Sequence, residues 1–487
     1  MKLKGGEVAQ HNSKESCWVV IHKKVYDVTE FLPQHPGGAA VVLQYGGKDA
    51  TEEYDLIHPP DTIEKSLPPE KVLGEICSRQ PTVTTPADTS APDYDGPRTT
   101  PLQVIMNLND FERAAKRVLS DRAWIYYSSS SGTMGSFASN MGDWSKVTFR
   151  PRVLRNVERV NMQKKILGYP SAAPFFIAPC ALGRLGHVDG ERCLVRGSAR
   201  FNVPYAVSNA SSVSAQDLAE YLSDEKANGC LFFQLYVKKD PKETRRTIQE
   251  AKALGYRALM VTVDTAAVAK RDEDDRFRSQ LALDGNPAAR PVAGPGSAQG
   301  SAVARQPYSS TLSWTDLRWI AQEWGTAGSL CLKGITTVED ARLAADMGYT
   351  ALYLSNHGGR QLDGAPSALH TLLEIRRHDP ELLQLCEVLV DGGVRRGEDI
   401  LKALALGATA VGLGRPFMYA LSTHGAEGVH RAIEILMDEI QTSMRLLGIT
   451  SLAQLRPSAV NIRRLEGDIV DKVEDAVSFD PPKLAKI

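Results

Sequence analysis

The sequence lacks the features that mark several classes of protein. Its seven cysteines are scattered and include no C-x-x-C motif, which argues against a disulfide framework or a zinc site and predicts reduced thiols. No apolar run approaches the roughly 18 residues of a membrane-spanning helix. The N-terminal residues have neither a signal-peptide core nor a transit-peptide composition, and the C-terminal LAKI is no peroxisomal address. We therefore expect a cytoplasmic protein, or one of the mitochondrial intermembrane space if a presequence is absent from this chain.

Neither sign of charge is in excess. The 487 residues include 57 Lys and Arg and 58 Asp and Glu, which gives a formal net charge of −1. This balance provides no overall field to attract nucleic acid or an anionic membrane. The composition, with 43% hydrophobic and 24% charged residues, is typical of a soluble globular protein. The length favours two or more domains.

A proline-rich stretch divides the chain. Proline fixes φ and lacks an N–H group, so such a stretch predicts a semi-extended linker rather than a third core. The sequence thus predicts a small domain over 1–77, a linker over 78–101 and a large domain over 102–487. The prolines of the linker are Pro81, Pro86, Pro92, Pro97 and Pro101.

Beyond the linker, eight short β-rich apolar runs alternate with helical patterns. This alternation predicts parallel strands joined by helices, and eight such units favour a closed (β/α)8 barrel, the TIM barrel, over an open sheet. The fold class is therefore α/β. The runs cover residues 175–181, 205–209, 231–236, 258–264, 330–334, 351–357, 387–392 and 409–414, with helices such as 338–347 and 397–406 between them.

Nearly every run ends in polar residues or glycine. Barrels place their chemistry at the carboxyl ends of the strands, so these aligned ends predict an active site there. A long segment of small and polar residues, 272–313, follows the fourth run and predicts a mobile loop over this face. The residues at the run ends are Ser208, Gln234, Tyr236, Thr262, Asp264, Lys333, Ser355, His357, Asp391 and Gly414.

Two histidines of the small domain are candidate metal ligands. His35 begins an HPGG turn, and His58 follows later in the sequence LIHP. A six-coordinate haem iron needs two neutral imidazoles on opposite walls of an apolar slot, although the spacing alone also suits two surface histidines. The surrounding segments CWVVI (17–21), VYDVTEFL (25–32), GKDAT (47–51) and LGEI (73–76) resemble cytochrome b5. This resemblance implies a small α+β domain that binds haem b, with His35 and His58 as the axial ligands of its iron.

Glycine-rich segments of the large domain predict a phosphate site. The sequences DGGVRRG (391–397) and GLGRP (412–416) follow the last two runs, where many unrelated barrels bind phosphate through glycine amides and arginines. The segment LSNHGGRQLD (354–363) is more specific. It places a candidate base, His357, three residues before a candidate carboxylate clamp, Arg360.

With FQLY (233–236), TVD (262–264) and LKG (332–334), this segment resembles the FMN-dependent 2-hydroxy acid dehydrogenase and oxidase family, from about residue 102 to near the C-terminus. The whole chain resembles the flavocytochrome b2 family of L-lactate:cytochrome c oxidoreductases. The resemblance implies oxidation of an L-2-hydroxy acid, by default L-lactate, to the 2-oxo acid. It also implies electron transfer from FMN through haem b to an acceptor such as cytochrome c, and a homotetramer.

The resemblance assigns roles to individual residues. His357 would be the base, oriented by Asp264, while Arg360 would bind the substrate carboxylate and Lys333 would stabilise the reduced flavin. The full set of implied catalytic residues is Tyr126, Tyr236, Asp264, Arg271, Lys333, His357 and Arg360. The implied FMN contacts are Pro179, Cys180, Ala181, Ser208, Gln234, Thr262, Lys333, Ser355, Asp391, Gly392, Gly393, Arg395, Gly414 and Arg415.

Departures from the family pattern widen the choice of function. Ser130 stands where a glycine is usual, and residues 265–271 keep the arginine but lose a proline and a glycine. Ala210 stands where a larger side chain usually lies over the substrate, so a bulkier, for example aromatic, 2-hydroxy acid is an alternative substrate. An oxidase that uses oxygen and an electron carrier whose barrel is only a scaffold are rival functions. The intact haem pair argues against the oxidase, and the presence of His357 and Arg360 argues against the carrier.

Overall fold

A computed structural model describes residues 2–35, 38–59, 62–76, 100–224, 229–283, 308–471 and 473. The described residues form two compact units, drawn from Met1–Thr100 with Glu273–Pro307 and from Pro101–Asp272 with Tyr308–Ile487. Most of the predicted linker, residues 78–99, lies outside the described residues, as do Pro36 and Gly37 of the HPGG turn. Within the described ranges, no helix is long and apolar enough to cross a membrane.

The first unit contains a small sheet and short helices. Its elements include β1 (Lys2–Leu3), α1 (Gly5–Val8), β2 (Trp18–Ile21), β3 (Lys24–Asp27), α2 (Ala39–Leu43), α3 (Thr51–Ile57), α4 (Thr62–Ser66) and β4 (Val72–Ile76). The strand order is β1-β4-β3-β2. His22 and Lys23 join β2 to β3 with φ of 49° and 66°, the left-handed conformation that a two-residue hairpin turn requires.

Several elements precede the barrel in the second unit. They are α5 (Leu108–Val118), α6 (Asp121–Ser128), α7 (Gly135–Lys146), β5 (Thr148–Phe149), β6 (Lys164–Ile166) and β7 (Tyr169–Ser171). Asn107 caps α5 by accepting hydrogen bonds from the N–H groups of Asn109 and Asp110, the usual way to satisfy the first amides of a helix. The β6–β7 hairpin packs beneath the barrel, where Ile166 and Leu167 join a cluster with Phe176 inside it.

Eight parallel strands form a closed barrel, so the predicted fold class is confirmed. They are β8 (Phe175–Ile177), β9 (Tyr205–Ser208), β10 (Leu231–Tyr236), β11 (Ala258–Thr262), β12 (Ser329–Ile335), β13 (Ala351–Leu354), β14 (Glu387–Val390) and β15 (Ala410–Leu413). Each lies in or closely overlaps a predicted run. The strands are almost wholly buried because helices cover one face and interior side chains fill the other.

Helices follow or connect the strands. They are α8 (Arg192–Phe201), α9 (Ala215–Asp224), α10 (Pro241–Ala253), α11 (Asp272–Leu283), α12 (Leu317–Trp324), α13 (Val338–Asp346), α14 (Ala368–His378), α15 (Leu382–Leu385), α16 (Gly397–Leu406), α17 (Arg415–Leu447) and α18 (Arg463–Glu466), with β16 (Val460–Asn461) paired to β5. Short 3-10 turns lie at Pro69–Lys71, Leu102–Val104, Gly183–Leu185, His357–Gly359, Leu452–Gln454 and Pro457–Ala459.

The segment after β11 differs from the prediction. The sequence predicts a loop over residues 272–313, but the first part is the helix α11, where Arg278 contacts Asp274 one turn earlier at 2.8 Å. The prediction of a loop is therefore wrong for residues 272–283. Residues 284–307, the small and polar centre of the predicted loop, lie outside the described residues.

Candidate active site

A cavity opens at the carboxyl ends of the barrel strands, where the sequence predicts the site. Most of the predicted residues line it, namely Tyr126, Pro179, Cys180, Ala181, Ser208, Tyr236, Lys333, His357, Arg360, Asp391, Gly392, Gly393, Arg395, Gly414 and Arg415. Phe137 and Met141 of α7 also contribute to the wall. The remaining predicted residues do not line the cavity but lie close to lining residues or to one another; they are Gln234, Thr262, Asp264, Arg271 and Ser355.

His357 lies at the centre of this cavity. Its Nδ1 is 3.1 Å from both carboxylate oxygens of Asp264, and its Nε2 is 3.2 Å from the hydroxyl of Tyr236. Burial opposes the charge of Asp264, but His357 and the nearby Lys333 ammonium hold the pKa of that carboxyl below its ordinary value. A carboxylate on one ring nitrogen leaves the other to exchange a proton with a ligand.

The backbone at His357 is strained. His357, Gly358 and Gly359 have φ of 61°, 66° and 78°, three consecutive left-handed residues of which only the glycines adopt that region freely. A Cβ on Gly359 would lie 2.8 Å from the backbone nitrogen of Phe137, so this position requires glycine. The side chain of Asn356 accepts the Gly359 N–H at 2.9 Å and fixes the turn. This conformation presents the imidazole to the cavity.

A glycine also makes room for Asp264. The register between β12 and β13 shifts between Lys333 and Ile335, and Gly334 has φ of 106°. A Cβ there would lie 2.6 Å from the carboxylate carbon of Asp264. The bulge therefore lets the carboxylate lie against bare backbone while Lys333 points into the cavity.

Two arginines flank the ring of Tyr126. The guanidinium of Arg360 lies 4.9 Å from the ring centroid and donates to the Tyr126 carbonyl at 2.6 Å, while that of Arg271 lies 6.0 Å from the same ring. Arg360 can thus bind a carboxylate beside His357 with its guanidinium oriented by the aromatic face.

In and behind the cavity wall, polar side chains on neighbouring strands are hydrogen-bonded in two groups. Ser208 donates to Gln234 at 3.1 Å, and Gln234 donates to Thr262 at 2.8 Å. Lys333 donates to Ser355 at 3.3 Å. All these side chains are buried, so the two groups present a fixed set of donors and acceptors to a ligand in the cavity.

The far end of the cavity fits an anion. Arg395 is buried, and its Nη1 has no hydrogen-bond partner among the described residues. An unpartnered buried guanidinium nitrogen calls for an acceptor, and a phosphate supplies one. By contrast, Arg415 donates to the carbonyls of Tyr127, Ser129 and Gly358 and to the Ser130 hydroxyl.

Several contacts of the site were not predicted. Tyr308 stacks on Tyr236 with centroids 4.3 Å apart. Glu112 pairs with Arg395 at 2.9 Å. Asn140 and Asn356 exchange hydrogen bonds of 2.8 and 2.9 Å that tie α7 to the His357 turn. No motif marks these contacts, because each joins partners distant in sequence.

The two histidines of the first unit face each other. The ring centroids of His35 and His58 are 5.9 Å apart, and Tyr54 stacks on His58 at 5.0 Å. Burial lowers the pKa of both imidazoles, that of His58 to about 4 with a contribution from His35, so both are neutral at physiological pH. His58 Nδ1 is buried without a partner among the described residues. Facing neutral imidazoles beside an apolar core fit the axial ligands of a haem iron.

Comparison with known proteins agrees with both sites. Residues 115–462 match the FMN-dependent dehydrogenase family, and residues 5–77 match the cytochrome b5-like heme/steroid binding domain. An L-lactate dehydrogenase (cytochrome) of Saccharomyces cerevisiae is 37% identical over 491 residues, which cover 98% of this chain and 82% of the relative.

Solved structures show the same similarity. A flavocytochrome b2 variant with pyruvate bound has a TM-score of 0.68 at 35% identity, over 80% of this chain and 95% of that one. A mandelate oxidase variant with (S)-mandelic acid has a TM-score of 0.62 at 35% identity, over 73% of this chain and 98% of its own. The cofactors are accordingly FMN and haem. The chain belongs to the FMN-dependent dehydrogenase family and carries a cytochrome b5-like haem domain in front of its FMN-binding barrel.

Proposed function

We propose that this protein oxidises an L-2-hydroxy acid, with L-lactate as the first candidate, to the 2-oxo acid and passes the electrons to cytochrome c. The observation that carries the proposal is the contact of His357 with both Asp264 and Tyr236 in a cavity that also presents Arg360. The similarity to an L-lactate dehydrogenase (cytochrome) along nearly the whole chain supports it.

Each of these side chains has a separate role at the substrate. Arg360 binds the carboxylate, and Tyr236 donates a hydrogen bond to the substrate oxygen, which its buried hydroxyl can do because burial keeps its pKa well above the ordinary value. His357 takes a proton from the substrate through Nε2, and the charge of Asp264 stabilises the imidazolium that forms.

FMN held in this cavity would supply an acceptor for an electron pair, and haem held by the first unit would supply one-electron transfer. Arg395, with the glycine amides at Gly392, Gly393 and Gly414, would hold the FMN phosphate, and Lys333 would lie beside the flavin ring. A fixed ammonium there favours negative charge on the ring, so Lys333 stabilises the reduced state. His35 and His58 would hold the haem iron.

Rapid mixing of the holoenzyme with L-lactate in the absence of oxygen tests the proposal. We expect the flavin absorption to bleach first and the haem to be reduced afterwards at a matching or slower rate. Peroxide formation in air without haem reduction would instead support an oxidase. The similarity to an L-lactate dehydrogenase (cytochrome) over 98% of the chain supports the dehydrogenase. Absence of flavin bleaching by any 2-hydroxy acid contradicts the proposal altogether.

A larger substrate is a second candidate. Ala210 lies two residues after the wall residue Ser208, and its N–H donates to the Ser208 hydroxyl at 3.2 Å. Room for an additional hydrophobic group changes preference by about 1–3 kcal/mol per methylene-sized space. If this space accepts a ring, kcat/KM for L-mandelate equals or exceeds that for L-lactate, and Ala210→Leu shifts the preference back to lactate. A strict preference of the unmodified protein for lactate refutes this candidate.

We also propose a homotetramer, with cytochrome c as acceptor and the mitochondrial intermembrane space as the alternative location to the cytoplasm. Sedimentation of the full chain tests the first, and steady-state reduction of cytochrome c by L-lactate tests the second. Fractionation of the native cells locates the protein. A monomer, or haem that is reduced by substrate but not reoxidised by cytochrome c, would contradict the corresponding part.

A further inference from the structure

We propose that Glu112 is a positioning residue that aims Arg395 at the phosphate of FMN. Glu112 lies on α5, outside the barrel strands and outside the lining of the cavity. The inference rests on the FMN site and not on which hydroxy acid is oxidised, so its test separates the two.

Arg395 is held from two sides. Its Nη2 is 2.9 Å from Glu112 Oε2, and its guanidinium carbon lies 5.8 Å from the ring centroid of Tyr419. Only 7% of the Arg395 side chain is exposed, against 30% of the Glu112 side chain. A guanidinium clamped by a carboxylate on one edge and an aromatic ring nearby has few other orientations available.

Arg395 lines the cavity beside Gly392, Gly393 and Gly414, and its other terminal nitrogen, Nη1, is buried without a partner among the described residues. Arg415, another guanidinium of this cavity, donates to carbonyls and to Ser130 instead. The Glu112 contact therefore leaves Arg395 Nη1 as an oriented cationic donor for an incoming anion.

The carboxylate has two opposing effects on phosphate binding. It orients the guanidinium and offsets a buried positive charge that would be costly if left alone, with the nearby Arg415 adding to the positive field. Its own negative charge also repels the phosphate dianion. Orientation needs only a hydrogen-bond acceptor at this position, while both charge effects need the negative charge, so Glu112→Gln separates orientation from charge.

Flavin binding by the full chain, after removal of its FMN, provides the test. Fluorescence titration is carried out with FMN and with riboflavin, which lacks the phosphate. We expect Glu112→Ala to weaken FMN about tenfold, in the range of losses when a supporting residue is removed, and to leave riboflavin unchanged. Glu112→Gln keeps an acceptor without the charge, so FMN binds as tightly as to the unmodified protein or more tightly.

A matched control removes a carboxylate of the same type elsewhere. Glu323→Ala breaks an ion pair with Arg245 of 2.7 Å on the outer helices and should change the binding of neither flavin. In an Arg395→Gln background, Glu112→Ala should add no further loss of FMN, because the two residues act through one contact.

Three results overturn the proposal: equal weakening of FMN and riboflavin by Glu112→Ala, unchanged FMN binding, or a loss with Glu112→Gln as large as with Glu112→Ala. If the alanine variant does not fold, the glutamine variant alone decides, since a tenfold loss there contradicts positioning by an acceptor. Loss of lactate oxidation with normal flavin binding would concern the proposed function and not this contact.

Discussion

The two units of the molecule use histidine in different ways. In the first, His58 faces another imidazole, and burial lowers its pKa to about 4, which leaves a neutral lone pair for a metal. In the second, His357 contacts the carboxylate of Asp264 at 3.1 Å and the hydroxyl of Tyr236 at 3.2 Å. Both rings are partly buried, and they differ in their partner, which is another imidazole at His58 and a carboxylate at His357.

The largest effect is expected from breaking the base. His357→Gln should lower kcat for L-lactate about 10³-fold, within the usual contribution of general base catalysis, while the FMN and haem spectra stay normal. The rate of flavin bleaching under anaerobic conditions measures it. His370→Gln is the control, since the His370 Nε2 contacts the carbonyl of Asp468 at 2.9 Å near the surface and should leave the rate unchanged. A normal bleaching rate in His357→Gln would remove this residue from the mechanism.

Asp264→Asn removes the negative charge next to His357 and keeps the size and shape of the side chain. We expect kcat to fall about 10²-fold, because the imidazolium loses its counter-charge while the hydrogen bond remains possible. Substrate affinity should change little, since Arg360 and not Asp264 binds the carboxylate. An increase in KM with unchanged kcat would assign Asp264 to substrate binding instead.

The same variant gives a prediction for stability and pH. The pKa of Asp264 is held below its ordinary 3.8, so the unfolded chain binds this proton before the folded chain does. The stability from this charge is therefore present above pH 3.8 and lost as the pH falls through the lower folded pKa. Urea unfolding should find the unmodified protein more stable than Asp264→Asn at neutral pH, with the difference shrinking in acid. A difference that does not change with pH contradicts the lowered pKa.

His58→Ala removes one of the two candidate haem ligands. Loss of one axial imidazole should abolish the low-spin haem spectrum and reduce the rate of cytochrome c reduction about tenfold, while substrate still bleaches the flavin. His22→Ala serves as control because His22 is half-exposed and pairs with Asp55 at 3.0 Å. Retention of the normal haem spectrum in His58→Ala would exclude this residue as a ligand.

The sequence predicted most of the fold because its signals are local. Each barrel strand is a short buried run between turn residues, so β-propensity and helical periodicity agree along the chain. The sequence predicts a loop at α11 because this charged helix has no apolar stripe on one face. The small residues that follow the helix also dominate the composition of segment 272–313.

The site divides in the same way. His357, Arg360 and Lys333 stand in motifs at strand ends, where barrel geometry brings them together. Tyr308 and Glu112 have no such motif. Their roles depend on contacts with Tyr236 and Arg395 across long separations in sequence, which only tertiary packing creates. Ser130 stood out as a departure from the family glycine, and its hydroxyl accepts a hydrogen bond from Arg415 at 3.0 Å.

The β6–β7 hairpin bears on the route by which substrate enters and product leaves the enzyme. Leu167 and its neighbours fill the floor of the barrel together with Phe176 and Phe232. Because the substrate cavity lies at the opposite end, at the carboxyl ends of the strands, we expect substrate and product to use the same opening. A 2-oxo acid that is still bound blocks the entry of the next hydroxy acid, so we expect the product to inhibit competitively with substrate.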